Sequence, residues 1–117
     1  MSQAQAQTYS FLVCAPDYPD VPATNRRAAT RAQHVEHMGK LGKDGVLRTG
    51  GGMLAPDEYG AVERTVRGSI MIFECESLDA VRKIIEEDVY WTTLVWDHER
   101  LSIIPFFSPA PVPALMA

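Results

Sequence analysis

The pattern of apolar residues has a period of two near the start of the chain, in the stretch TYSFLVCAP at 8–16. Tyr9, Phe11 and Val13 occupy one set of alternate positions, which is the period of a β-strand. The other set is also apolar, for example at Leu12. This stretch therefore predicts a strand with both faces covered.

Two later segments repeat apolar residues every three or four positions, as one face of a helix does. The first predicts a helix from Asn25 to Lys43, which ends before Gly45. The second predicts a helix over 78–87, with Ser77 as its N-cap. The apolar stripe of the first helix comprises Ala28, Ala32, Val35, Met38 and Leu41.

Three further strands are predicted in the stretches VLRTGGGML, TVRGSIMIFEC and ERLSIIPFF. The resulting order is β-α-β-β-α-β, which is typical of an α+β ferredoxin-like fold: a four-stranded antiparallel sheet with two main helices on one face. The other sheet face is apolar as well, so we expect it to be buried against a second copy in a homodimer. We expect one domain at 8–107, a flexible N-terminus at 1–7 and an extended proline-rich tail at 108–117.

The composition favours a globular protein over a nucleic-acid-binding or membrane protein. Hydrophobic residues make up 46% and charged residues 22% of the 117 residues, and the formal charge is -4. This composition is typical of a soluble globular domain and does not favour nucleic acid as a partner. The chain has neither a secretory signal nor a membrane-spanning stretch, so we expect a cytoplasmic protein without a membrane partner. Cys14 and Cys75 are expected to be free thiols.

The stretch RAQHVEHMGKLGKDG at 31–45 holds the candidate chemistry. His34 lies at the border of the apolar stripe, and an imidazole is the side chain that titrates near neutral pH without help. It is either a proton carrier in a half-buried cleft or a histidine bonded to backbone or water. His37 is expected on the solvated side of the helix. Arg31 and Arg27 repel each other unless an anion or an acidic side chain lies beside them.

Asp88 ends the second helix and is positioned to cap the next helical turn, a role that is compatible with orienting an imidazole. Ser69 lies in an apolar strand and is expected to hydrogen-bond either into a pocket or to backbone. The run Gly50–Gly52 predicts a bulge or a close backbone approach, because it lacks the context of a phosphate-binding loop. We find no dinucleotide motif, metal-ligand cluster or nucleophile elbow in the sequence, and therefore expect no cofactor.

Five stretches in this order, RAQH, the glycine strand, GSIMIFECESL, DVY and IIPF, resemble the YCII-related family of the dimeric α+β barrel superfamily over residues 8–107. The resemblance implies a ferredoxin-like dimer and a histidine–aspartate pair at His34 and Asp88. Two positions depart from the family pattern: Val89 replaces a proline, and Leu94 stands where glycine is usual.

Together these observations predict a small cofactor-independent lyase or isomerase acting on an oxygenated cyclic or polyketide-like metabolite, a substrate class that rests on analogy with the superfamily. His34 would move a proton, Asp88 would orient it and Arg31 would bind a substrate anion. The expected pocket also includes Ser69, Tyr90, Trp91 and Trp96. The alternatives are a non-catalytic dimeric ligand-binding or accessory protein, and a cofactor-free monooxygenase.

Overall fold

The computed structural model describes residues 7–113, which form a four-stranded antiparallel sheet with its helices on one side. Numbered along the chain, the strands lie in the order second, third, first, fourth, which is the order of the predicted ferredoxin-like α+β fold. The predicted flexible N-terminus, except for Gln7, and the last four residues of the predicted tail lie outside the described residues. In chain order, the elements are β1 (Tyr9–Pro16), α1 (Ala23–Lys43), β2 (Leu47–Gly52), β3 (Gly68–Cys75), α2 (Leu78–Glu87), α3 (Val89–Thr92) and β4 (Ser102–Phe106).

The alternation in β1 divides the sheet into two faces. Phe11 and Val13 are buried on the face that carries the helices. Leu12, between them, lies on the opposite face, where it is paired with Ile72 of β3 and Ile104 of β4. No helix covers this second face in the described part of the chain, so it presents aliphatic side chains to the outside.

Helix α1 presents a different face to the sheet from the one predicted. Val35 of the predicted apolar stripe is 48% exposed, whereas Arg27 and His34 are half-buried. Met38 is the one stripe residue that is fully buried. The reason lies in what is beneath the helix: carboxylates, rather than apolar side chains, receive the inward-facing residues of its first half.

The two helices in the second half of the chain begin at the predicted N-cap residues. The Ser77 hydroxyl accepts a hydrogen bond from the Ala80 amide at 3.1 Å and begins α2. Asp88 begins α3 by accepting a hydrogen bond from the Tyr90 amide at 2.8 Å. Leu94 follows with a φ of 61°, in the left-handed region that favours glycine.

The glycine run shows the close backbone approach expected of it, whereas the irregularity of β2 comes before the run. The register between β2 and β3 shifts between Leu47 and Thr49, and Gly50–Gly52 pair regularly with β3. A Cβ placed on Gly52 would lie 2.8 Å from Cγ1 of Val66, so the loop after β2 approaches the strand closely because a side chain is absent there.

Both cysteines are free thiols, as predicted. Burial, with a smaller contribution from Glu76 and then Glu74, raises the pKa of the Cys75 thiol to about 11. Within 7–113, no helix combines the length and the apolar character that crossing a membrane requires.

Candidate active site

A cleft of about 340 Å³ lies between α1 and the sheet edge formed by β2 and β3. The helix lines it with side chains from successive turns of one face, and the glycines of β2 form a wall without side chains. Its other walls are largely apolar. The lining residues are Arg27, Arg31, His34, Val35, Met38, Leu47, Gly50, Gly51, Gly52, Val66, Ser69, Met71 and Tyr90.

His34 is hydrogen-bonded to Asp88, which comes 54 residues later in the chain. Its Nδ1 lies 2.9 Å from Oδ1 and 3.0 Å from Oδ2 of the carboxylate. The side chain of His34 is 15% exposed and that of Asp88 is not exposed at all. His34 thus lines the cleft on one side and is bonded to a fully buried carboxylate on the other.

Several partners stabilise that charge. Burial by itself raises the pKa of Asp88, but the hydrogen bond and charge of His34, the Tyr90 amide and a bond from His37 outweigh it and lower the pKa below its usual value. An ionised carboxylate only accepts hydrogen bonds, so Nδ1 of His34 carries the hydrogen. In the neutral form of this ring, Nε2 keeps its lone pair, as a general base requires.

His37 also reaches the carboxylate, which corrects the expectation that it lies on the solvated side of the helix. Its Nδ1 is 2.7 Å from Oδ2 of Asp88, and its side chain is 30% exposed. The two histidines are three residues apart, a spacing that places neighbours on one helix face. One buried carboxylate is therefore bonded to both imidazoles.

Aromatic rings hold the imidazole of His34. The Tyr90 ring stacks on it with centroids 4.0 Å apart and planes 12° apart, and Trp96 meets it edge-on at 5.6 Å. Burial raises the pKa of the Tyr90 hydroxyl, although Arg27 and Arg31 offset part of the effect. Tyr90 is therefore a neutral phenol at physiological pH.

Arg27 is a site residue to which the sequence assigned no role in binding substrate. Its guanidinium makes two bonds to Asp17, at 2.8 and 2.9 Å, and donates a third to the Ser69 hydroxyl at 3.0 Å. It also lies 4.6 Å from the centroid of the Tyr90 ring. The Trp96 indole donates to the same Ser69 oxygen at 3.1 Å. With its oxygen accepting twice, Ser69 retains its hydroxyl hydrogen for another partner.

Arg31 differs from Arg27 in having no acidic neighbour. It is exposed and lines the cleft one turn before His34, and within 7–113 its side chain makes no ion pair or hydrogen bond. Asp17 and Asp20, two acidic residues that precede α1, are bonded to Arg27 and Arg26 respectively.

The structure does not place the two tryptophans in the walls of the cleft. Trp91 is directed away from it and stacks on His98, with centroids 3.5 Å apart and planes 8° apart. Trp96 is completely buried behind Ser69 and belongs to the core. The cap at Asp88 accounts for this arrangement, because it directs Tyr90 inward and the next residue, Trp91, outward.

The fold and the cleft together define an α+β domain of the ferredoxin-like type that holds a histidine and a buried carboxylate between helix and sheet. Within that type, the chain belongs to the YCII-related domain family, whose family model matches residues 9–106. Both the predicted family and the predicted fold are thereby confirmed.

Similar proteins come from fungi and from a bacterium. The chain is 35% identical over 98 residues to "Fusaric acid biosynthesis protein 2" of Gibberella moniliformis, covering 84% of this chain and 92% of that protein. It is 34% identical, with the same coverage, to the protein of that name from Gibberella fujikuroi. A structure of 5-chloro-2-hydroxyhydroquinone dehydrochlorinase from Burkholderia phenoliruptrix, in complex with 2,5-dihydroxybenzoquinone, shares the fold with a TM-score of 0.71 at 22% identity, covering 84% of this chain and 93% of that one.

Proposed function

We propose that the protein is a cofactor-independent lyase or isomerase that moves a proton on a small oxygenated cyclic or polyketide-like metabolite. The observation that carries this proposal is the bond from His34 Nδ1 to the buried Asp88 carboxylate, which leaves Nε2 as a base at the cleft. In this proposal, Asp88 orients the ring and stabilises its charged form.

The proposed reaction begins when Nε2 of His34 takes a proton from a carbon next to a carbonyl group. The electron pair of the broken C–H bond moves onto the carbonyl oxygen and forms an enolate. The electrons then return, either to expel a leaving group, which completes an elimination, or to take up the proton at another atom, which completes an isomerisation. Arg31 and Ser69 both line the cleft, and in this proposal they hold the enolate oxygen as charge develops on it.

The shape of the cleft supports a flat substrate of about the size of one or two rings. Its 340 Å³ lies at the lower end of the usual range for small-molecule sites. The wall at Gly50–Gly52 has no side chains, and Met38 and Met71 provide an apolar surface. The names of the similar proteins, which concern a fungal metabolite and a chlorinated hydroquinone, agree with this substrate class.

We also propose that a second copy of the chain covers the open face of the sheet. Ile70 is 42% and Ile104 is 46% exposed on this face. The solvent-facing side of an antiparallel sheet normally carries polar side chains, so exposed isoleucines there favour a covering partner. The same face on two copies is self-complementary, as a two-fold dimer requires. The apolar residues of the open face are Leu12, Cys14, Ile70, Ile72, Ile104 and Phe106, and Ser10, Glu74 and Ser102 lie on the same face.

A chromogenic elimination tests the proposed chemistry. A general base that removes the ring C–H proton of 5-nitrobenzisoxazole breaks the N–O bond and releases 2-cyano-4-nitrophenolate, which is coloured. We expect wild-type protein to accelerate this reaction and His34→Gln to reduce the acceleration by ~100-fold. Equal rates for the two proteins would contradict the proposal.

A binding assay with 2,5-dihydroxybenzoquinone distinguishes the enzyme hypothesis from the binding-protein hypothesis. Binding is measured by the quenching of intrinsic protein fluorescence. We expect Arg31→Gln to weaken binding of this anion about tenfold. Binding that depends on Arg31, together with elimination that does not depend on His34, would favour the non-catalytic alternative.

A further inference from the structure

We propose that His37 is a positioning residue for this site: it bonds to the Asp88 carboxylate without lining the cleft and so fixes the acceptor that orients His34. The inference rests on the proposed proton-transfer role of His34. Its structural basis is the 2.7 Å contact between His37 Nδ1 and Asp88 Oδ2, which is shorter than either contact made by His34.

The hydrogen bonds of the carboxylate show why a second imidazole matters. Oδ1 accepts from the Tyr90 amide and from His34. Oδ2 accepts a hydrogen bond from His37, and Nδ1 of His34 also lies within hydrogen-bond distance of Oδ2, at 3.0 Å. Without His37, Oδ2 would be held only by His34, the ring that the carboxylate has to orient. The torsion about the Cβ–Cγ bond of an aspartate is broad, so the carboxylate could then turn together with that ring. In this proposal, the bond from His37 restrains the carboxylate independently of His34.

His37 acts from outside the cleft. It is not among the residues that line the cleft, and its side chain is twice as exposed as that of His34, at 30% against 15%. A substrate in the cleft therefore meets His34 but not His37. An effect of His37 on the reaction must pass through Asp88, and it should appear in kcat rather than in KM.

The bond from His37 also determines where the proton resides during turnover. When His34 has taken a proton from substrate, its imidazolium faces the carboxylate across a short hydrogen bond. A carboxylate that accepts from three donors is stabilised as an anion, so the proton stays on His34. There it is available for delivery to the leaving group or to another substrate atom.

Nuclear magnetic resonance of the ¹⁵N-labelled imidazoles tests the geometry without any substrate. We expect the Nδ1–H form for both His34 and His37 in the wild-type protein. In His37→Leu, the Nδ1–H signal of His34 should shift and broaden. His37→Asn should retain the wild-type signal, because its side-chain amide nitrogen replaces Nδ1 as the donor. Gln33→Leu, an exposed position on the same helix, is the control and should change nothing.

Elimination of 5-nitrobenzisoxazole by the same proteins tests the consequence for the reaction. We expect His37→Leu to lower kcat about tenfold with an unchanged KM, and His37→Asn to restore kcat to within about twofold. An unprotonated Nδ1 on His37 in the wild-type protein, or an asparagine variant as impaired as the leucine variant, would overturn the proposal. If the wild-type protein does not eliminate the probe, the proposed function fails while the resonance data still decide the role of His37.

Discussion

The imidazole of His34 lies flat against the phenol ring of Tyr90, with the ring centroids 4.0 Å apart. The backbone amide of the same tyrosine donates to Asp88, the carboxylate that holds His34. Tyr90 therefore supports both members of the pair, one through its side chain and the other through its backbone. Rotation of the imidazole would break the stacking contact and the hydrogen bond together, which favours a single preorganised geometry.

Asp88→Asn should separate the capping role of this residue from its proposed catalytic role. Asparagine still accepts a hydrogen bond from the Tyr90 amide and is as good an N-cap as aspartate. It carries no charge to stabilise an imidazolium, so we expect elimination of 5-nitrobenzisoxazole to fall ~100-fold or more while circular dichroism stays unchanged. Asp88→Ala, which loses the cap too, should also lower the melting temperature. An asparagine variant with the wild-type rate would contradict the orienting role.

Stability should fall in acid, partly because of Asp88. Its pKa is lower in the folded chain than in the unfolded chain, so between the two values the unfolded state binds more protons. Its contribution is therefore present above the unfolded value, about 4, and is lost as pH falls through the folded value. Urea denaturation from pH 7 to pH 3 should show a shallower loss for Asp88→Asn than for the wild type below about pH 4. Parallel curves would count against this assignment.

Leu94→Gly should stabilise the protein. Leu94 adopts a φ of 61°, which costs a residue with a Cβ roughly 1 kcal/mol or more. Glycine removes this strain but gives the unfolded chain more freedom, so we expect a net gain of about 0.5 kcal/mol in the free energy of unfolding. The Leu94 carbonyl, which accepts two bonds from Arg26, is retained in the variant. Leu94→Ala keeps the Cβ and should give no such gain in a thermal melt.

Gly50→Ala should narrow the cleft without disturbing the strand. A Cβ on Gly50 lies on the cleft side of the sheet, 3.6 Å from Cγ of Met71, which is an ordinary van der Waals contact. We expect weaker binding of 2,5-dihydroxybenzoquinone, by about tenfold, with an unchanged melting temperature. Gly39→Ala, at an open glycine outside the cleft lining, is the comparison for binding. Equal affinity for the Gly50 variant and the wild type would show that this wall does not contact the probe.

The reactivity of the Cys14 thiol should depend on whether the protein dimerises through the open sheet face. Cys14 lies on that face, opposite Ile70 and Ser102, whereas Cys75 lies in the core. In a dimer, alkylation of Cys14 by iodoacetamide should slow as protein concentration rises, and Ile104→Glu should give a monomer with fast alkylation at all concentrations. Cys75 should react only after unfolding, because it is buried and its pKa is about 11. Sedimentation as a monomer by the wild-type protein would exclude the proposed dimer.

The fold could be predicted because local patterns determine it. The period-two pattern at Tyr9–Pro16 and the caps at Ser77 and Asp88 were all found as expected, since each depends on residues close in the chain. The meeting of His34 with Asp88 is long-range, and only the family resemblance pointed to it.

Which face of α1 packs against the sheet could not be predicted from the sequence. Apolar spacing favoured a stripe through Ala28, Ala32 and Val35, but the helix turns Arg27 and His34 inward instead. That choice depends on Asp17 and Asp88 beneath the helix, which come from two other parts of the chain. The helical period alone placed His37 in solvent for the same reason. Buried carboxylates outweigh a weak alanine stripe because an unpaired buried charge is costly.

Asp88 begins α3 and also holds the proposed base, so a chain that loses this aspartate for a residue that cannot cap loses the cap of that turn as well. In related sequences, folding alone is then a sufficient reason to keep a capping residue such as aspartate or asparagine at this position, whatever the protein does. An aspartate without the histidine would mark a relative that kept the architecture and abandoned the chemistry. The histidine of α1 is thus the more informative of the two when activity is inferred across the family.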